Sequence, residues 1–573
     1  MTTRPAPARA PAPRPARARP RGGLGRASGV TAVGTAASRA SGLLRTGMVA
    51  AAIGSTGSLA DVYSVANTAP NALYDLLLGG VLTSVVVPVL VQAAREDEDE
   101  GASFARALLA VTSVALAGAA LVAVLAAPLV VSLYSGFTGA ERAKAIVLVR
   151  FFLPQIVFYG VTAVAGAVLN TRGRFGAATA VPVLNNLVVI ATAALFISLP
   201  GPPRPAAASV TSAQTLVLAI GTTLGVAVMA VALLPALRAA GVTPRAPRRR
   251  TTGSAVPGAG RAGAVVDPRT VARLRAAASL AGWTVVYVAV TQLGFVVVTH
   301  LATARSVRGN ATYTNAYQLL QLPYALVGVS VVTALMPALA RHHVDERPDL
   351  LRAEVSRGLR LAGVLVVPAA VGLAATAGPL ARLAFGHGAS TVAGAVLIGQ
   401  VVAVFAVGLV PFTVQQVLLR TLYAQRDSRA AAGVGAVTVA VLVLVDVAVS
   451  AVQTGPRRVL GLAAGFDAAY LVGACLAAAV VLHRLDGRGR RVLRVYIRAG
   501  VAALLAGGAC WLVVTVADDL LGKGTWSALV AICLGGGLGI GVYATAARAM
   551  RIAELAPVRR AVAGTLTRVT HRR

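Results

Sequence analysis

Apolar runs of about 20 residues recur along the whole chain, each long enough to cross a hydrocarbon core as a helix rising 1.5 Å per residue. Short polar breaks divide them into fourteen predicted spans. Six lie near residues 30–53, 61–91, 107–133, 146–170, 177–199 and 213–237. Eight more follow a long polar stretch, near 279–303, 312–340, 359–380, 391–424, 431–452, 459–483, 497–517 and 526–548. Short patterns recur at matching places on either side of that stretch. Span 2 closes with Ser84-Val-Val-Val-Pro88-Val-Leu, and span 8 with Thr333-Ala-Leu-Met-Pro337-Ala-Leu. Span 4 runs out through Leu169-Asn-Thr-Arg-Gly-Arg174, and span 10 through Leu422-Tyr-Ala-Gln-Arg426-Asp-Ser-Arg429. Weak repeats of this kind mark transporter halves related by an axis along the membrane normal. The expected fold is an all-α polytopic membrane protein with 14 transmembrane helices, as two six-helix lobes plus a C-terminal helix pair. Its expected parts are a disordered basic tail (1–28), an N-lobe (29–240), an Arg/Pro loop (241–278), a C-lobe (279–485), the helix pair (486–550) and a second basic tail (551–573).

Composition excludes two other classes. The chain is 57% hydrophobic and only 13% charged, against roughly 25% charged for a soluble domain. Neither a soluble enzyme nor a disordered chain fits. The net charge of +33 raises the question of a nucleic-acid partner. The arginines cluster between Arg4 and Arg26, around Arg248-Arg249-Arg250, and in the tail ending Arg572-Arg573. No aromatic residues interleave with them as stacking platforms, so no nucleic acid is expected. Topogenic charge and attraction to anionic membrane lipids account for them. With the N-terminus in the cytoplasm, 40 of the 53 Lys/Arg fall in cytoplasmic segments or at their edges, nine lie outside, and four (Arg39, Arg45, Arg150, Arg420) lie within spans. An error of one span would scramble that split. The expected place is the plasma membrane, multi-pass, with both termini cytoplasmic.

Polar residues inside spans carry the functional signal, because an ionised side chain at mid-bilayer costs roughly 2.5–3.5 kcal/mol on insertion scales. Span 1 holds Arg39 and Arg45, about 13 and 22 Å along its helix and about 120° apart around it. Two such contacts suit an extended anion. Structural arginines bonded to helix ends or to Asp75 are the alternative. In span 2, Asp61, Ser64, Asn67, Thr68, Asn71 and Asp75 fall within an arc of about 120°. In span 8, Thr314, Tyr317, Gln318, Gln321, Tyr324 and Gly328 do the same. One polar stripe on each of two corresponding helices implies a hydrated cavity between the lobes, with interhelical hydrogen bonding as the competing reading. Asp446 in span 11 and Asp467 in span 12 have similar expected depth and could face each other. Such a pair could hold a sodium ion or share a proton as a coupling-ion site, and a single protonated or hydrogen-bonded Asp is the equal alternative.

Cys475, Cys510 and Cys533 have no metal-ligand spacing and read as small core residues. No phosphate-binding loop, HExxH motif or covalent-catalysis constellation stands out, so an enzyme, a metal site and a cofactor are not expected.

Taken together, Ser38-Arg39-x-x-Gly42-x-x-Arg45, Asp61, Pro70-Asn71 and Gly80 through Pro88 resemble the opening of the MurJ/MviN lipid II flippases, within the multidrug/oligosaccharidyl-lipid/polysaccharide exporter superfamily. Phe152-x-Pro154, Leu169-Asn170-Thr171, Arg174-Phe175, Pro182 and Asn185 extend the resemblance. Leu322-Pro323, Gly328-Val329, Met336-Pro337 and Tyr423-Ala-Gln-Arg426-Asp427 carry it into the second half. The resemblance implies movement of an undecaprenyl-diphosphate-linked glycopeptide, the peptidoglycan precursor, from the cytoplasmic to the outer leaflet by alternating access. It also implies diphosphate contacts from the arginines, a groove for the lipid tail along spans 13–14, and partners in the cell-wall synthesis machinery. This sequence departs from the Gram-negative pattern, which has paired arginines where Tyr74 and Asp75 stand, an acid at Gly79 and an arginine at Gln318. In that respect it is similar to the actinobacterial branch. An exporter of another polyprenyl-linked glycan or of drugs, and a non-transporting scaffold, are the alternative functions.

Overall fold

Backbone polar groups have no water partner in hydrocarbon, so a chain this apolar must satisfy them within helices. The computed structural model describes residues 22–76, 87–96, 99, 101–242, 268–304, 309–485 and 490–555, and every regular element among them is helical. The N-terminal part comprises α1 (Gly22–Ile53), α2 (Ser58–Leu76), α3 (Val87–Glu96), α4 (Ala102–Leu125), α5 (Ala127–Tyr134), α6 (Gly139–Phe152), α7 (Gln155–Thr171), α8 (Phe175–Ser198), α9 (Ser212–Val231) and α10 (Leu234–Ala239). Next come α11 (Pro268–Thr303), α12 (Asn310–Pro323), α13 (Val329–Val344), α14 (Pro348–Phe385), α15 (Val392–Ala424), α16 (Ser428–Val452) and α17 (Gly455–Leu485). The last elements are α18 (Arg490–Leu521), α19 (Thr525–Val530) and α20 (Gly536–Ala549). Among the described residues, twelve helical stretches are long and apolar enough to cross a membrane. The outward surface is apolar, with Val114, Leu121, Leu125 and Leu520 more than 60% exposed. Such a surface is stable only against lipid.

Several expected boundaries move. Residues 22–28, expected in the disordered tail, belong to α1, and residues 268–278, expected in the Arg/Pro loop, belong to α11. Alanine-rich sequence continues a helix beyond the apolar core, because Ala loses the least entropy in a helix. Residues 1–21, 243–267 and 556–573, which hold most of the basic clusters, lie outside the described residues, as does Gly79-Gly80. Span 4 is two helices broken at Leu153-Pro154, and span 8 passes through a π-helical turn, Tyr324–Gly328, directly after Pro323. Proline removes an intrahelical bond at each place.

Packing places the polar positions. α1 docks along α8, where Asn186 Nδ2 donates to Ser41 Oγ at 2.9 Å and to the Ser38 carbonyl at 3.2 Å. One core cluster gathers Val62, Phe152 and Ile156 among the N-terminal helices. Another gathers Phe405, Leu409 and Phe466 among the C-terminal ones. The α1–α2 turn uses Gly54 at φ 91° and Gly57 at φ 127°, a region that favours glycine. The end of the bundle that holds this turn is the distal end.

Candidate functional site

Between α1, α2, α7, α8 and α9 on one side and α12 on the other lies a cavity of about 200 Å³. Arg45, Asn67, Asn71 and Gln318, four of the residues singled out by sequence, line it. Polar residues of the two stripes therefore do meet. The Thr46 hydroxyl reaches Gln318 Oε1 at 2.8 Å, and Ser64 Oγ reaches Thr314 Oγ1 at 3.3 Å. Tyr159 of α7 donates to Asn71 Oδ1 at 3.0 Å.

The other expected residues sit elsewhere. Arg39 is exposed and outside the cavity wall, so the span 1 pair is divided. Asp61 is fully buried at the distal end, where Oδ1 accepts the Ala311 amide at 2.7 Å. It serves the first turn of α12, whose backbone donors lack partners within the helix and carry partial positive charge. Tyr74 packs on Tyr159 with ring centroids 4.5 Å apart. Asp75 lies beside Gln292 of α11, so the two halves approach each other there. Gln321 lies beside Tyr317, one turn back on its own helix, and outside the cavity wall.

Six polar lining residues escaped sequence reasoning, Thr46, Tyr63, Gln155, Tyr159, Thr222 and Asn315, and Asn185 entered it only as a landmark of the resemblance. Gln155 Nε2 donates to Thr223 Oγ1 at 3.0 Å, and the Tyr63 and Thr222 hydroxyls lie 3.1 Å apart. Gln155 Oε1 and Asn185 Oδ1 are buried without a protein partner among the described residues. Gln155 directly follows the Pro154 break, and that offset was the available signal.

Hydrogen bonds between the halves concentrate at the distal end. Asn310 Nδ2 donates to Ser64 Oγ at 3.0 Å, and Asn315 Nδ2 to the Ser55 carbonyl at 3.2 Å. The α14–α15 loop closes onto α1 through the Ala389 amide and Ser390 hydroxyl, which donate to Ala51 O at 2.8 Å and Ala50 O at 2.9 Å. That approach needs Gly388, whose φ is 64° and whose Cβ would overlap the Ala51 carbonyl.

Of the two arrangements open to Asp446 and Asp467, the structure has them at separate interfaces. Asp446 is fully buried against Gly465 of α17, while Asp467 points at Gly408 of α15. Positions 465 and 467 are about 200° apart on α17, so the carboxylates meet separate interfaces. Neither Asp446 oxygen has a hydrogen-bond partner among the described residues, nor has Asp467 Oδ1. Among the described residues, no group of three or more His, Cys, Asp or Glu could hold a metal ion.

A second space, about 1110 Å³ and apolar, opens between α14, α18 and α20, with Pro368, Ala506 and Tyr543 in its wall and Arg548 and Arg551 at one end.

Residues 49–530 match the sequence family described as "Lipid II flippase MurJ". The chain belongs to the MurJ family. That makes it a transporter and not an enzyme. Curated MurJ relatives include the lipid II flippase of Burkholderia cenocepacia, 29% identical over 488 residues, covering 83% of this chain and 88% of the relative. The probable flippase of Haemophilus influenzae is 27% identical over 495 residues, covering 83% and 90%. Among solved structures, a MurJ in an inward closed conformation superposes with TM-score 0.69 at 17% identity, over 91% of this chain and 99% of that one. An inward-facing multidrug MATE transporter superposes with TM-score 0.60 at 14% identity, over 78% and 94%. The fold is thus common to MurJ and MATE proteins, and the sequence match distinguishes between them.

Proposed function

We propose that this protein flips lipid II, a polyprenyl-diphosphate-linked glycopeptide, from the cytoplasmic to the outer leaflet by alternating access. The observation that carries this reading is the polar cavity between the two halves, with Arg45 in its wall and the distal end closed above it. A volume of about 200 Å³ holds about six waters at roughly 30 Å³ each, far less than a glycopeptide head group. The described state is therefore a closed one, and transport requires the halves to part. Export of a diphosphate runs with an inside-negative potential, worth about 2.3 kcal/mol per charge per 100 mV.

In this reading α1 and the α2–α3 stretch are two further spans. The total is then fourteen, in two six-helix lobes and a final pair, with both termini cytoplasmic, supported by the distribution of basic residues. Arg39, Arg45, Asn67, Asn71, Tyr74, Asp75, Gln318 and Gln321 face the head group at some stage of the cycle, and Asp61 holds the distal closure. The α14/α18/α20 crevice accommodates the polyprenyl tail. Asp446 and Asp467 are the carboxylates available for a coupling sodium ion or proton. Tyr74, Asp75 and Gln318, in place of the cationic residues of the Gram-negative pattern, support an actinobacterial-type branch. The same replacements favour, as second reading, a different polyprenyl-linked glycan. A leaflet-accessibility assay in reconstituted vesicles tests both, with labelled lipid II and a polyprenyl diphosphate bearing another glycan. Protein-dependent movement of lipid II is expected; movement of only the other lipid would establish the second reading.

A further inference from the structure

A third space, about 1510 Å³, opens between α14, α15, α17 and α18, and it shares no lining residue with the polar cavity or the α14/α18/α20 crevice. Its composition is stratified. Arg352, His483 and Arg491 stand at the end opposite the distal one, where α14 and α18 begin and α17 finishes. Val410 and Leu471 mark the other extreme, each fourteen residues back from the end of its helix. That separation is about 21 Å, comparable to one leaflet, half of a hydrocarbon core of about 30 Å plus its interfacial layer. Between the extremes the wall is apolar except for Ser356 and Arg360, and Leu471 and Leu493 are 56% and 62% exposed, so it lies open to the bilayer.

Among the described residues, the charges at the rim are only partly paired. Asp349 pairs with Arg347, and Arg360, deeper in the wall, pairs with Glu554. Among the described residues, neither Arg352 nor Arg491 has an acidic partner within ion-pair distance. A largely apolar slot one leaflet deep, beneath two guanidinium groups that have no acidic partner among the described residues, matches a lipid whose chains lie in the membrane and whose phosphate sits at its surface.

We propose that this crevice is a binding site for an anionic glycerophospholipid of the leaflet on the side of the chain termini, with its phosphate between Arg352 and Arg491. The site is separate from the transport route and does not rest on the identity of the transported lipid. Bound there, the lipid bridges the start of α14 to the junction of α17 and α18, and so braces the final helices against the rest.

The test uses the full-length protein, extracted from vesicles of equal phosphatidylglycerol and phosphatidylcholine, with retained lipids counted by native mass spectrometry. Wild type is expected to retain phosphatidylglycerol at least fivefold over phosphatidylcholine. Arg352→Gln with Arg491→Gln should bring that ratio close to one. Arg494→Gln, which removes another exposed charge of α18 from outside the crevice, should leave it unchanged. Cys475→Trp fills the apolar floor and keeps the rim, so it should lower the retained lipid of both kinds. An unchanged ratio in the double variant overturns the proposal, as does an equal fall in the Arg494 control. Displacement of the bound phospholipid by undecaprenyl diphosphate at equimolar concentration also overturns it, because the crevice would then belong to the transported lipid. Circular dichroism of each variant separates loss of the site from loss of the fold.

Discussion

Arg45 and Arg39 lie six positions apart on one helix, yet only Arg45 enters the cavity wall: it shares the side of α1 that meets α8 through Ser41, whereas Arg39 is turned about 120° away and exposed. A charge-assisted contact to phosphate is worth about 1.5–3 kcal/mol, so Arg45→Ala should slow flipping roughly 10- to 100-fold with membrane insertion unchanged. Arg39→Ala should cost less, since that side chain lies outside the cavity wall. Complementation of a flippase-depleted strain and vesicle flipping rates check both; full activity of the Arg45 variant would remove the arginine from the mechanism. Asp61 acts differently, by holding the α12 amide of Ala311 across the distal closure. Asp61→Ala deletes that buried, charge-assisted acceptor. The open population should rise about tenfold, read as faster modification of a cysteine at Asn67 by a membrane-impermeant thiol reagent.

Among the elements, α16 shows how a polar break starts a span. Asp427 precedes it and accepts the Ala430 amide at 2.8 Å, and Arg484 from the end of α17 pairs with it at 2.5 Å. The Ala430 amide first, then Arg484, hold the Asp427 carboxyl below its ordinary range. A depressed carboxyl stabilises the fold above its unfolded value, roughly 3.9, and that contribution fades as pH falls through the lower folded value. Asp427→Ala should therefore lower the melting temperature in detergent by a few degrees at pH 7, from about 1–2 kcal/mol of cap and ion pair. The gap between variant and wild type should close below about pH 3. A constant gap across that range would assign the effect to packing instead.

For the whole molecule, alternating access requires the two halves to exchange one closed end for the other. Single cysteines at Asn67, Asn71 and Gln318, which line the cavity, should change reactivity when substrate is added, by at least severalfold. Gln321 lies off the wall in the closed state and should respond only when the halves part. Uniform protection at all four would favour a packed interface with no transport cavity. Asp446→Asn addresses the return stroke. If its carboxylate carries the coupling ion, the variant should slow repeated turnover more than lipid binding and lose the wild-type dependence on sodium or pH. Unchanged dependence on both places the ion elsewhere.

Helical class, the approximate places of the spans and the family were legible from the chain, because 20-residue apolar runs and proline, glycine and arginine landmarks are local properties. The polar stripes were also legible, since 100° per residue determines which side chains share a face of one helix. What lies across from a face is not local. Arg39 and Arg45 part company because only the side of α1 that carries Arg45 is packed into the cavity wall, and Asp446 and Asp467 meet different interfaces of α17, where Gly465 and Gly408 admit them. Gln155 and Asn185 reach the cavity only through the helix break at Pro154 and the packing of α7 and α8 against α9. Periodicity along the chain sets the angle of a side chain on its own helix; only packing between helices sets what that angle points at.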